Sequence, residues 1–325
     1  MDEIKEQDSP QKTLPFDNLY LNAGFVSGLN GWWMYVVTIL FTVLCYLSAP
    51  VITAVHLLIK ANQNGVTMEQ IARDPNSLFD YTVIGVDRNL VLISLLGIFV
   101  ITFAGFYLAL KRLHRKSLLS VLTGYDKFRF KRFWFAFMVW GTLLLVSVLG
   151  SYVLDPESLQ VNFELEGFII SLLMMILLMP IQTGFEEIFF RGYLVQGLSQ
   201  IFKNGIVPVI ITSVLFGAAH LSNPEVREYG WAPMLTYYIC FALFMGCLTL
   251  LDEGLELAFG VHFANNLLSS VLVNSPNSVL KTYSIFDSKT EDPSGEIILW
   301  FCMAILTFVI FWLKFRWMNF KLILK

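Results

Sequence analysis

The chain has 325 residues, 56% of them hydrophobic and only 14% charged, with a formal net charge of −3. Soluble globular chains carry about 25% charged residues, so a soluble single-core protein is excluded and an all-α polytopic membrane protein is expected. The net charge says little as a sum; the placement of Lys and Arg carries the information, and no nucleic-acid partner is expected.

Residues 1–30 are mixed polar, with Pro10 and Pro15, and read as a loose or interfacial tail ahead of a transmembrane domain over 31–325. No signal peptide with a small-residue cleavage site opens the chain. Runs of about 20 apolar residues predict about eight spans. The first is Trp32 to Ile59, with Pro50 as a kink, followed by a polar segment, Ala61 to Asp87, holding a short helix at Met68 to Arg73. The next spans are Asn89 to Leu110, Phe133 to Leu154, and a fourth beginning near Phe168. Gly205 to Leu221, Met234 to Leu251, Leu255 to Val273 and Ile297 to Leu313 complete the set.

Eight Lys and Arg lie between Lys111 and Arg132, which predicts a cytoplasmic loop. Asp155, Glu157, Glu164 and Glu166 then fall outside. An even number of spans puts both termini in the cytoplasm, in agreement with Lys314, Arg316, Lys321 and Lys325. The expected location is the cell (inner) membrane, as a multi-pass integral protein with membrane lipids as partners. His114, inside the basic loop, reads as solvated, and His56 as interfacial. Cys45, Cys240, Cys247 and Cys302 lie in apolar runs and read as small core residues rather than disulfides or metal ligands.

Span four contains Pro180 to Leu194, P-I-Q-T-G-F-E-E-I-F-F-R-G-Y-L, where Glu186 and Glu187 interrupt an apolar run. Ionisable groups there mark a functional-site hypothesis. Glu187 and Arg191 stand four apart and can form a buried ion pair. Glu186 is five from Arg191, about 140° around an α-helix, and is left free to face a cavity. His220 ends V-L-F-G-A-A-H, and His262 opens H-F-A-N-N, with Asn266 on the same helix face and Asn265 close to it. Two imidazoles, an amide and a carboxylate are an inventory for activating water and stabilising an oxyanion. The same residue types suit a zinc site made of Glu186, His220 and His262, although the H-E-x-x-H spacing is absent.

Glu186-Glu187-x-x-x-Arg191, Phe216-x-x-x-His220 and His262-x-x-x-Asn266, in that order, resemble the three motifs of the CAAX protease and bacteriocin-processing family of intramembrane endopeptidases, in particular its type II CAAX prenyl endopeptidases. The resemblance extends over about Leu118 to Val273. It implies peptide-bond hydrolysis in a conical cavity enclosed by helices, on a membrane-associated peptide or lipidated-protein substrate. In those terms Glu186 and His220 activate the water, while His262 and Asn266 hold the oxyanion. Whether the chemistry is of glutamate type or metal-dependent stays open, and a divalent metal such as zinc is not required. A non-catalytic peptide-binding or bacteriocin-immunity protein is the alternative on the same scaffold. A proton-coupled transporter would call for internal repeats, and the sequence has none. One conflict remains: the drawn spans place Glu186 toward the inner face and His220 near the outer end of span five. The two share one water only if span four extends toward Gln200 or span five is drawn later.

Overall fold

Apolar runs in lipid must satisfy every backbone N–H internally, so they fold as helices. In the computed structural model, which describes residues 14–63, 65, 67, 69, 86–289, 293–318 and 320, each of the eight predicted spans contains a helix. These are α2 (Trp32–Gln63), α3 (Arg88–Arg112), α5 (Phe130–Leu154), α6 (Leu165–Glu186), α8 (Ile206–Ala219), α10 (Trp231–Asp252), α11 (Glu256–Leu272) and α12 (Pro293–Phe315). Short helices α1 (Leu19–Val26), α4 (Leu118–Leu122), α7 (Val195–Phe202) and α9 (Pro224–Tyr229) lie between them. The protein is an all-α, multi-pass membrane protein.

Among the described residues, six helices are long and apolar enough to span a bilayer; α8, with 14 residues, and α11, with 17, are shorter. The reverse holds for span four. There α6 passes through a wide-turned π segment, Glu187–Leu194, directly into α7, giving one apolar helix of 38 residues. That is about 57 Å at 1.5 Å per residue, well beyond the ~30 Å of a hydrocarbon core. By the same rise α8 is only about 21 Å long, so His220 at its C-cap lies within the bundle. Span four thus extends past Gln200, as one way of reconciling Glu186 with His220 requires, whereas span five ends earlier than drawn rather than later.

At one end the chain is tied by charges. Arg129 reaches Asp252 and Glu256 at 2.9 and 2.8 Å, and Arg132 lies 2.5 Å from Asp252. At the other end a three-stranded sheet forms, with β3 (Phe286–Ser288) between β1 (Leu159–Val161) and β2 (Val273–Asn274). β1 pairs antiparallel to β3 and β2 parallel to it, joining the loop before α6 to the one after α11.

The expectation of a loose tail fails from Phe16 onward. Tyr20 and Leu21 are fully buried. Asn18 accepts from the Leu21 N–H and donates to the Leu250 carbonyl at 2.9 Å, while Asn22 exchanges hydrogen bonds with the Phe16 backbone. These asparagines cap and dock a helix instead of facing water. His114 is likewise buried, not solvated. Its Nδ1 donates to the Leu29 carbonyl and its Nε2 accepts from the Tyr193 hydroxyl, both at 2.8 Å. Burial pushes its pKa down. Lys116 is buried beside it, donating to the Gly24 carbonyl, and burial lowers its pKa to about 8. All four cysteines are free; three are half-buried, and Cys302 is exposed rather than in the core. The His56 side chain and the expected helix at Met68 to Arg73 lie outside the described residues.

Candidate active site

Two packed regions meet at the π segment. One gathers Trp140, Phe216, Phe241 and Ala264; the other gathers Tyr20, Phe106, Phe185 and Tyr193; Phe190 touches both. A single wide turn inside an α-helix is uncommon and recurs at functional sites. The separation of the two glutamates expected from their spacing nevertheless holds: among the described residues Arg191 pairs with Glu187 and forms no ion pair with Glu186.

Glu187 and Arg191 do come together, Oε1 to Nη1 at 3.1 Å, with both side chains almost wholly buried. The pair is held by proximity rather than alignment, since neither Nη1 nor Nη2 of Arg191 makes a hydrogen bond. The guanidinium instead stacks 4.2 Å above the Phe216 ring, a contact that suits a weakly hydrated cation out of water. His262 from α11 inserts between the acids. Its Nδ1 lies 2.6 Å from Glu187 Oε1 and its Nε2 3.6 Å from Glu186 Oε2. Glu186 is 7% and His262 3% exposed, so the two side chains face each other and little solvent. Glu186 is therefore not without a local partner; a histidine that adjacent sequence could not reveal stands beside it.

His220 is placed differently. Its Nδ1 donates to the Phe216 carbonyl at 2.7 Å. Its ring is held between Phe216 and Tyr238, at centroid distances of 4.3 and 4.6 Å. In the tautomer that carries its proton on Nδ1, Nε2 is left as an acceptor. Tyr238 is oriented in turn by hydrogen bonds with Glu225 and Asn223. No hydrogen bond joins His220 to Glu186 or His262 among the described residues. Phe216 separates the imidazoles, its ring centroid 6.4 Å from that of His262.

Asn266, one turn along α11 from His262, donates to Gln182 Oε1 at 3.2 Å. Asn265 donates to Asn266 and accepts from the Trp140 indole. Gln182 and Trp140 were not singled out from the sequence. Gln182 did carry a signal, as an uncharged polar residue one helical turn before Glu186; Trp140 carried none.

The zinc set of Glu186, His220 and His262 does not fit this arrangement. His262 Nε2 lies beside Glu186, but the Phe216 ring stands between His262 and His220. Among the described residues no three His, Cys, Asp or Glu side chains converge as ligands. Crevices of about 320 and 480 Å³ lie against α12 and beside Asp87, and neither is lined by Glu186, His220, His262 or Asn266.

The segment from the start of α6 to Leu268 of α11, which holds all of these motif residues, matches a known family model. Residues 166–268 match the model described as Type II CAAX prenyl endopeptidase Rce1-like. The match leaves α1 to α5 and α12 outside it. The chain is also 30% identical over 184 residues to "Uncharacterized protein YyaK" of Bacillus subtilis (strain 168), covering 56% of this chain and 61% of that protein. The chain thus aligns with about three-fifths of that relative's length. No solved structure matches the chain. The Rce1-like segment supports an endopeptidase type of function in general, carried by a multi-pass membrane protein.

Proposed function

We propose that the protein is an intramembrane endopeptidase that hydrolyses a peptide bond of a membrane-associated peptide or lipidated protein. The observation that carries this reading is His262 standing between Glu186 and Glu187, all three side chains buried, inside the Rce1-like segment. Two carboxylates, an arginine and an imidazole amount to far more polarity than packing requires in lipid.

In this reading each residue has a distinct task. Glu186 takes a proton from a water as its oxygen attacks the scissile carbonyl. His220, its Nδ1 proton committed to Phe216, offers the Nε2 lone pair as a second acceptor for that water. The oxyanion that forms is met by the amide of Asn266 and by His262. Because Glu187 engages His262 Nδ1, donation to the oxyanion falls to Nε2, and the ring must carry both protons to make it. Glu186 then passes its proton to the leaving nitrogen as the C–N bond breaks. The basic end of the bundle faces the cytoplasm in this proposal, and the membrane is the cell's inner membrane.

The first test is Glu186→Gln, which is nearly isosteric and removes only the base. Purified wild-type protein in lipid should cleave an internally quenched peptide bearing a prenylated C-terminal cysteine motif, and Glu186→Gln should not. Comparative proteomics of membrane peptides from cells carrying each form extends the test to other substrates. If the two forms behave alike in both assays, the protein is not an endopeptidase, and the peptide-binding alternative takes its place.

A further inference from the structure

Asn266 does not stand alone. The Trp140 indole N–H donates to Asn265 Oδ1 at 3.1 Å, Asn265 Nδ2 to Asn266 Oδ1 at 3.1 Å, and Asn266 Nδ2 to Gln182 Oε1 at 3.2 Å. Trp140 is fully buried on α5, the two asparagines are half-buried on α11, and Gln182 is buried on α6. The sequence of donors matters. A primary amide can be turned over without cost unless a neighbour accepts only one of its edges. An indole N–H can only donate, so only the oxygen of Asn265 can face it. That choice fixes the Asn265 amino group toward Asn266, and so the Asn266 amino group toward Gln182. Gln182 itself lies on the face of α6 that carries Glu186, four residues on.

We propose that Trp140 is a positioning residue that sets a one-way amide relay, Trp140 to Asn265 to Asn266 to Gln182, and thereby presents the N–H groups of Asn266 and Gln182 to the substrate. The inference rests on the endopeptidase reading for its catalytic meaning, but the relay itself can be tested without activity. Each link polarises the next in a low-dielectric site. Loss of the first link frees the Asn266 amide to rotate its oxygen toward the substrate, where it would repel a developing negative charge. The penalty falls on the transition state and not on ground-state binding.

Trp140→Phe keeps an aromatic ring in the same packing and deletes only the donor. It should lower kcat on the quenched prenylated peptide about tenfold with KM unchanged, the size expected for one misdirected hydrogen bond. Asn265→Asp provides a second variant, in which the oxygen still accepts from Trp140 but no amino group remains for Asn266. It should show the same kcat loss. The decisive comparison uses an Asn266→Ala background, in which Trp140→Phe should have no further effect. An equal kcat loss in both backgrounds would mean that Trp140 acts by packing alone, and would overturn the relay. Independently of turnover, the indole ¹H–¹⁵N resonance absent from Trp140→Phe should shift in Asn265→Leu. An unmoved resonance also overturns the relay. If the wild type cleaves nothing, the endopeptidase reading fails while the resonance still decides whether the relay exists.

Discussion

Glu187 has two partners where its neighbour Glu186 has one. It lies 3.1 Å from Arg191 and 2.6 Å from His262 Nδ1. Glu187→Gln keeps an acceptor for the histidine but leaves Arg191, 2% exposed, without a counter-charge. Removing one member of a buried pair typically costs about 3–5 kcal/mol. The variant should therefore show a lowered melting temperature in detergent, whereas Glu186→Gln should melt close to the wild type. If Glu187→Gln proves stable and Glu186→Gln unfolds, the assignment of the two acids is reversed. Part of this was legible in the sequence, since the four-residue spacing of Glu187 and Arg191 is a local property. The position of His262 was not legible, because it depends on how α11 packs against α6, a contact between residues 75 apart. His114 was misread for a related reason. Its neighbours in sequence are mostly basic, which suggests solvent, while its neighbours in space are Tyr193 and the Leu29 carbonyl.

At the level of elements, the apolar runs were easy to recognise, and each of the eight carries a helix. What the runs could not show is where a helix changes its pitch or stops short. The π segment has no compositional signature, and α8 ends within the bundle because its C-cap residue, His220, is followed by a turn rather than by more apolar chain. The π segment is supported from outside by α1 and α4. The Tyr20 hydroxyl donates to the Val121 carbonyl at 2.7 Å and lies 3.4 Å from that of Arg191. Gly192 permits this close approach, since a Cβ there would meet Val121 Cγ1 at 2.7 Å and the Val121 carbonyl oxygen at 2.9 Å. The methyl of Val121 can rotate away; its backbone oxygen cannot without moving α4. Gly192→Ala should therefore destabilise the protein by about 1–3 kcal/mol through overpacking, more than the ~1 kcal/mol of helix propensity it gains. Thermal unfolding in detergent checks the sign. A higher melting temperature would mean that α4 is not seated against the π segment.

For the whole molecule, the arrangement of its two ends bears on orientation in the membrane. α1 docks at Leu250 through Asn18, and Trp317, beyond α12, reaches Asp252 at 3.4 Å. The first and last described parts of the chain thus lie at one end, the end that carries the basic loop. Not all eight basic residues of that loop are available to set orientation. Lys116 is buried, and Arg129 and Arg132 are paired with Asp252. Lys111, Arg112, Arg115, Lys127 and Lys131 are exposed, and at the opposite end so are Asp155, Glu157, Glu164 and Glu166. The asymmetry survives the subtraction, and positive residues near helix ends favour the cytoplasmic side. Single cysteines at Ser117 and Glu157, both exposed, report on the two ends in a background where Cys45, Cys240, Cys247 and Cys302 are replaced. In sealed inside-out vesicles a membrane-impermeant maleimide should label Ser117→Cys and spare Glu157→Cys, and in intact cells the pattern should reverse. Labelling of both from one side would contradict the even number of crossings. The opposite pattern would keep the bundle and invert it, placing the acidic end in the cytoplasm.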